Sequence, residues 1–490
     1  MLPFYKLAMA RPTQLTLLSI VLVVGICAGR AGFSIDPSWL IFLALIIALM
    51  ALFRSRFVFP ALVVALLLLG IWRGFATDFN RSYAAQFVDQ KVLICGTVSD
   101  DPGTDKYGNY SFELADVQVN GYPLGYPVRI KSLSTGVQRG YQVAVEGKLK
   151  PAKGIVSLQV SYAKVEVLNT NQDWLEKLRQ KFIASVRSNI PPSLSGFGIG
   201  LLVGAKSLIP GDLQDDMSAV GLSHVVAASG YNLTILVIAM QRLLAGVSIY
   251  LATAAAGWLI AAFMVISGFS AAIFRASLVS SHSMLTSFYG YKVNPITLIS
   301  LPAALTLIWN PDFLFRDLGW QLSFTAFFGV LVLAPLIEAR WVQHPSLLKS
   351  LLIESSCAHI MTLPLIMWRF ENLSIIAPIT NLFVLPFIPL AMLLTFLSGL
   401  AGMFLPSPIA AFVSMPATGL LGYCIAVAQW FAAIRIAQVE QGLTGFMVAA
   451  FYIIILLFSW LLYKRAKNFE VRNSLLAGVH ISSPFDRSAR

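Results

Sequence analysis

Between Gly200 and Ile235 the chain reads GLLVGAKSLIPGDLQDDMSAVGLSHVVAASGYNLTI. Lys206, Asp212, His224, Ser229 and Asn232 stand there within or between apolar stretches, among glycines that weaken a helix. Ionisable groups in such surroundings are expensive and normally face a cavity or a partner. Broken helix ends add backbone dipoles that survive only under a cover of protein or water. The chemistry open to this set is the lining of a polar passage. Lysine supplies a point charge for an anion, and imidazole, amide and hydroxyl supply hydrogen bonds. Farther along, Arg275 precedes Ser277, Ser280, Ser281, Ser283 and Ser287, a stretch polar enough to line water. Gln321 and Ser323 follow Asp317 in mid-run and can hydrogen-bond between helices. Each has a plainer role open to it. Lys206 can snorkel to an interface, His224 can be a satisfied structural group, and Arg275 can be a helix-end charge. Glu354, His359, Arg369 and Glu371 read as packing or gating groups.

Catalysis is poorly supported. No nucleophile elbow, phosphate-binding loop or HExxH helix is present. Ser229 beside Gly230, with His224 five residues away, keeps an intramembrane hydrolase open as an alternative, but the base and oxyanion donors are not assembled by sequence. The 5 histidines, His224, His282, His344, His359 and His480, are far apart, and the 4 cysteines form no paired motif. No catalytic residue, metal ligand or cofactor is assigned.

The elements that must hold these groups follow from composition. Of 490 residues, 57% are hydrophobic and only 12% charged, against about 25% charged in ordinary soluble chains. Most of the length therefore belongs in a bilayer. Charge-free windows of roughly 20 residues predict about ten to twelve membrane segments, some of them broken or re-entrant where prolines interrupt the stretch between Glu371 and Arg435. The first, between Arg11 and Arg30, has basic residues before it but no signal-cleavage site, and reads as a retained anchor. Lys6, Arg11, Arg54 and Arg56, and later Lys464, Arg465, Lys467 and Arg472, mark the cytoplasmic side, so both termini are expected inside.

Residues 77–170 differ. They hold 10 basic and 9 acidic residues and alternate apolar with polar in five runs: 91–98, 110–119, 127–131, 141–149 and 155–162. Turn signals separate them at Asp101-Pro-Gly103, Tyr107-Gly-Asn109 and Asn120-Gly-Tyr122. Five short strands predict an all-β OB-like barrel, placed outside the membrane by the three preceding spans. Arg129, Lys131, Lys148, Lys150 and Lys153, interleaved with Tyr107, Tyr110, Tyr126 and Tyr162, combine charge with stacking faces, as single-strand binders do. A solvated β surface is the competing reading. Residues 171–191 predict an amphipathic helix with Trp174, Leu175, Leu178, Phe182, Ile183 and Val186 on its apolar face. It lies either at the interface or clamped against the bundle.

Several motifs in order resemble the ComEC family of competence proteins, inner-membrane channels through which transformable bacteria take in DNA. They are Gly204-Ala-Lys-Ser207, Gly221-Leu-Ser-His224, Ala227-Ala-Ser-Gly230, Arg275, Gly319-Trp-Gln-Leu-Ser-Phe-Thr-Ala326, Ala358-His-Ile-Met-Thr-Leu-Pro364 and Pro378-Ile-Thr-Asn381. Two departures stand out. Asn232 replaces a histidine found in many members, and the scattered histidines do not supply the metallo-β-lactamase-like metal motif that many members carry.

The resemblance implies passage of single-stranded DNA into the cytoplasm through the bacterial cytoplasmic membrane. It also implies separate DNA-receptor, nuclease and cytoplasmic motor proteins, and leaves a homodimer open. The expected order is residues 1–76, three transmembrane helices; 77–170, the extracytoplasmic barrel; 171–191, the amphipathic helix; 192–466, the channel core; and 467–490, a cytoplasmic tail. The rival reading from the broken helices alone is a transporter of a small molecule or lipid precursor.

Overall fold

Where glycine recurs four residues apart on an apolar helix, two backbones can approach closely, and the first and third helices do this. Helix α1 (Arg11–Arg30) carries Gly25 and Gly29, and α3 (Val58–Ala85) carries Gly70 and Gly74. A Cβ on Gly70 would lie 2.5 Å from the carbonyl oxygen of Leu22, and Gly29 is equally filled by the backbone at Ile71. The two helices run parallel, linked by α2 (Ser38–Leu52). The computed structural model describes residues 11–36, 38–52, 57–104, 110–124, 127–133, 136–151, 158–204, 208–222, 230–244, 246–268, 271–289, 294–341, 347–370, 372–374, 376–434, 438–440 and 443–465.

The alternating segment folds as expected into a barrel. Its strands are β1 (Lys91–Val98), β2 (Gly103–Thr104), β3 (Tyr110–Val119), β4 (Tyr122–Pro123), β5 (Val128–Ser132), β6 (Gln142–Pro151), β7 (Leu158–Ser161) and β8 (Lys164–Asn169). The long strands close the circuit β1-β3-β5-β7-β6-β1, with β5 and β7 parallel and the other pairs antiparallel. This is the five-stranded Greek-key closure of an OB-like barrel. Every second residue points inward: Ile94, Phe112, Leu114, Ile130, Val145, Leu149 and Val160 are buried in one cluster. Strand β8, which the sequence reading lacks, extends the sheet along β6. Its burial pattern is almost wholly exposed, so it carries little of the alternation that marks a buried strand.

After the barrel come α4 (Trp174–Asn189), α5 (Pro192–Val203), α6 (Gly211–Ala219), α7 (Gly230–Leu244), α8 (Ile249–Ile266), α9 (Ala271–Phe288), α10 (Pro295–Trp309) and α11 (Asp312–Arg316). Helix α12 (Leu318–Phe328) passes through one π-turn, Gly329–Leu333, into α13 (Ala334–Trp341). Then follow α14 (Leu347–Phe370), α15 (Ala377–Val384), α16 (Ile388–Phe404), α17 (Ser407–Ala432) and α18 (Gly445–Arg465), with a two-stranded ribbon of β9 (Asn372–Ser374) and β10 (Gln438–Glu440).

Against the ten to twelve segments expected, seven described helical stretches are long and apolar enough by themselves to cross a membrane, and three apolar helices are shorter. Glycine and proline break the long apolar stretches into pieces such as α5, which ends on Gly204 at φ 77°. Helix α4 packs its apolar face against α16: Ser185 Oγ donates to the Gly399 carbonyl at 2.7 Å, and Phe182 fills the space a side chain on Gly399 would need. Trp174 and Leu178, expected on that apolar face, are instead exposed, because the packed contact begins at Arg179.

Of the three apolar clusters among the described helices, two bear on the site. One joins Phe182, Phe197, Phe263, Phe396 and Leu421, with Phe263 stacked on Phe396 at 5.3 Å. The other joins Leu22, Val279, Leu307 and Trp320. Helix α9 contributes Ile273 and Ala276 to the first and Val279 to the second, so it stands between them.

Candidate functional site

Arg275 lies one turn into α9 and is 4% exposed. Its Nη1 is 3.5 Å from Asp317 Oδ2 and its Nη2 is 3.5 Å from Ser323 Oγ, while Nε has no hydrogen-bond partner. Gly319, at the start of α12, is close to both members of this pair. At Gly319 a Cβ would stand 3.1 Å from Asp317 Oδ1 and 3.8 Å from Arg275 Nη2. Helix α12 is itself pinned to α10 by Trp320 Nε1, which donates to Thr306 Oγ1 at 2.9 Å. Two of the polar groups singled out in the sequence, Arg275 and Ser323, are thereby brought together from positions 48 residues apart. Gln321 instead donates to the Leu314 carbonyl at 2.8 Å, and its Oε1 is buried without a partner. An arginine with five donors, held by two long contacts in a buried place, keeps capacity for an anion.

Other cations collect at the same helix ends. Arg30, closing α1, is 3.2 Å from the fully buried Asp312. Arg73 donates through Nε to the Ile308 carbonyl at 2.8 Å and through Nη2 to that of Trp309 at 2.6 Å. Those carbonyls end α10, where a positive charge meets the negative end of the helix dipole.

The barrel is tied to α4 and to the turn after α8 by a network that the sequence reading misses. Arg179 of α4 is 1% exposed. It donates through Nε to the Ile266 carbonyl at 3.0 Å, through Nη1 to Asp101 Oδ1 at 2.9 Å and Glu176 Oε1 at 3.0 Å, and through Nη2 to Asp101 Oδ2. Arg139, from the barrel, donates to the Gly268 carbonyl and lies 3.6 Å from Glu176 Oε2. Gly268 has φ 61°, and a side chain there would strike the Arg139 guanidinium. Two barrel loops, carrying Asp101 and Arg139, are thus locked to α4 and the α8–α9 turn just ahead of Arg275.

Burial opposes the Arg179 charge, but the hydrogen bonds and charge of Asp101, followed by those of Glu176, prevail and raise its pKa. Burial, with Arg179 adding to it, lowers the pKa of Arg139. Burial also pushes Asp100 up to about 7, although its carboxylate accepts the Glu113 N–H at 2.6 Å. A signal for Arg179 exists in the sequence. It occupies the apolar stripe of α4 in register with Leu175, Phe182 and Val186, a position where a cation needs a partner.

The barrel candidates divide. Glu113 and Arg129 face each other across β3 and β5, 2.5 Å apart. The same ladder places Ser111 opposite Lys131 and Tyr110 opposite Ser132, and β6 sets Lys150 opposite Gln159. Arg129, Lys131 and Lys150 therefore share the outer wall over adjoining strands. Lys148 lies beside β1 and is 3.1 Å from Asp89, so its charge is partly answered. Asp212 stands exposed in the first turn of α6. Lys206, His224, Ser229, Lys153 and Tyr107 lie outside the described residues, as does the side chain of Asn232. Among the described residues no group of three or more His, Cys, Asp or Glu side chains is placed to hold a metal ion.

Comparison with known proteins places this arrangement. ComE operon protein 3 of Bacillus subtilis (strain 168) is 27% identical over 212 residues, an alignment covering 43% of this chain and 27% of that protein. The aligned part is thus about a quarter of the relative's length. No solved structure matches. The match that includes Arg275, Asp317 and Ser323 is wider, running over residues 201–466, more than half of the chain, and on it this chain belongs to the Competence protein family.

Proposed function

We propose that this protein is a multi-pass channel of the bacterial cytoplasmic membrane that passes single-stranded DNA into the cell. In this reading the barrel is the receiver on the outer side and both termini are cytoplasmic. The observation that carries it is the seat: an OB-like barrel is held by buried ion pairs to α4 and to the end of α8, just ahead of the helix that carries Arg275, in a chain of the Competence family.

A strand cannot cross with its phosphates against hydrocarbon, so its route needs water, spaced cations and polar backbone. Tight binding at every phosphate would stall it. Arg275, Gln321 and Ser323, with Lys206, Asp212, His224, Ser229 and Asn232, form the lining in this reading. Arg129, Lys131 and Lys150 supply the barrel contact in this reading, whereas Tyr110, opposite the buried Ser132, shares the inward face of β3 with Phe112 and Leu114. The buried, ion-paired character of the seat favours a fixed entrance over a loosely tethered domain. Direction is not set by a passive pore, so pulling falls to a separate cytoplasmic motor, and strand preparation to separate receptor and nuclease proteins.

The test is labelled-DNA uptake in a strain deleted for this gene. Loss of the label from the cytoplasm, restored by the wild-type gene, is the expected outcome. Unchanged uptake with altered envelope chemistry would reject the channel and favour a transporter of a small molecule or lipid precursor.

A further inference from the structure

Two arginine–carboxylate pairs lie on either side of the seat. On the barrel, Arg129 and Glu113 pair on the outer wall with side chains 37% and 28% exposed. In the helices, Arg275 and Asp317 pair at 3.5 Å with side chains 5% and 12% exposed. A short chain of contacts connects them. The Glu113 N–H is bound by Asp100, the adjacent Asp101 holds Arg179, and Arg179 holds the Ile266 carbonyl at the end of α8. The next helix begins at Ala271 and carries Arg275 in its first turns.

We propose that Arg129 and Arg275 are successive stations of one phosphate relay, each masked by its own carboxylate, Glu113 and Asp317. The inference rests on the strand-passage reading above. A bare guanidinium in a low-dielectric site would hold a phosphate through two charge-assisted hydrogen bonds and become a trap. A carboxylate at its side must be displaced first and competes for the guanidinium afterwards, so the phosphate exchanges and moves on. The 3.5 Å separations around Arg275 and its unpartnered Nε suit exchange better than a closed bidentate pair does. The masks also repel phosphate from the space between the stations, which shortens its stay there. A purely structural pair has no such role, and the two possibilities differ in what removing the acid does.

The test uses the full-length protein in detergent micelles, titrated with a fluorescein-labelled single-stranded oligothymidylate at several salt concentrations. Glu113→Gln is expected to bind more tightly than wild type. Its dependence of log K on log salt should steepen by about 0.7, the value of one added phosphate contact on a single strand. Cells carrying Glu113→Gln should take up labelled strand more slowly despite the tighter binding, and Arg129→Gln should weaken binding with a shallower slope. Asp317→Asn should act as Glu113→Gln does, but it leaves a buried arginine unpaired and risks the fold, so the half-exposed barrel variant decides. Affinity and slope for Glu113→Gln equal to or weaker than wild type would overturn the relay while leaving the channel reading intact, provided uptake still depends on this gene. Absence of binding by the wild-type protein, together with normal uptake in the deletion strain, would overturn both.

Discussion

On the side wall of the barrel, Lys91 lies 2.8 Å from Glu146 and Lys148 lies 3.1 Å from Asp89, with side-chain exposures from 48% to 73%. At the seat, Arg179 is 1% exposed and meets Asp101, Glu176 and a backbone carbonyl. The chemistry is the same, a cation beside a carboxylate, but the surroundings reverse its consequence. In water an ion pair contributes little, because solvent screens it and two side chains lose freedom. Under cover, neither partner can be removed without leaving a charge that water no longer reaches. The wall pairs can therefore open to a ligand at little cost, whereas the seat network fixes where the barrel stands. Arg275 and Asp317 resemble the seat in burial and the wall in looseness, which makes them suited to exchange.

The comparison breaks most readily at Arg179. Arg179→Met should destabilise the barrel–helix junction by about 3–5 kcal/mol, the range for removing one partner of a buried pair. Hydrogen exchange on the full-length protein would then show faster exchange at the Ile266–Gly268 turn and in the Asp101 loop. Arg179→Lys should rescue only part of this, since an ammonium cannot reproduce the fork that reaches two carboxylates and a carbonyl. Equal protection in the methionine variant would show that the network is not what seats the barrel.

A smaller effect sharpens the same contrast through pH. Asp100 is held by burial at a folded-state pKa of about 7, above its ordinary 3.8. The folded protein therefore binds more protons than the unfolded chain between those values, and stability falls as pH rises through that window. The stability supplied by this group is fully present below about pH 4 and lost above about pH 7. The loss is on the order of 2–4 kcal/mol for a shift of this size. Asp100→Asn should flatten that part of the pH profile in thermal unfolding of the full chain, while keeping a carbonyl for the Glu113 N–H. A wild-type profile that rises across the same window would contradict the assignment.

The smallest change is expected on the wall. Lys148→Gln should leave the unfolding temperature essentially unchanged at moderate salt, because its partner Asp89 is 69% exposed. A marked loss would mean that the wall pairs do more than solvate the surface.

The barrel was largely legible because strand periodicity is local. Inward residues such as Phe112, Leu114, Val143 and Val145 alternate with polar ones over whole strands, and the predicted runs coincide with β1, β3, β5, β6 and β7 to within a few residues. Strand β8 was not legible, since an edge strand packed on one side keeps no alternation. The apolar helices were legible as windows, but their breaks were not placed, because a glycine such as Gly204 ends one helix while Gly70 sits inside another. What separates them is the neighbour: Gly70 meets the backbone of α1, and only the packed structure supplies that backbone.

For the candidate site, the sequence marks residue types but not partnerships. Arg275 and Ser323 both stand out as polar groups in apolar surroundings, yet nothing in their spacing says that the two side chains meet. Arg179, the most buried cation of the seat, was passed over because a charge on an apolar stripe looks like an exception until its acids arrive from Asp101 and Glu176.

The sequence by itself determined the division of the chain into apolar helices and one alternating β segment, since each depends on a period of two or on the length of an uncharged run. The tertiary structure decided which charges are answered and which remain available. A charge has a local address, but its energy depends on what long-range folding brings within a few ångströms and how much water that folding excludes.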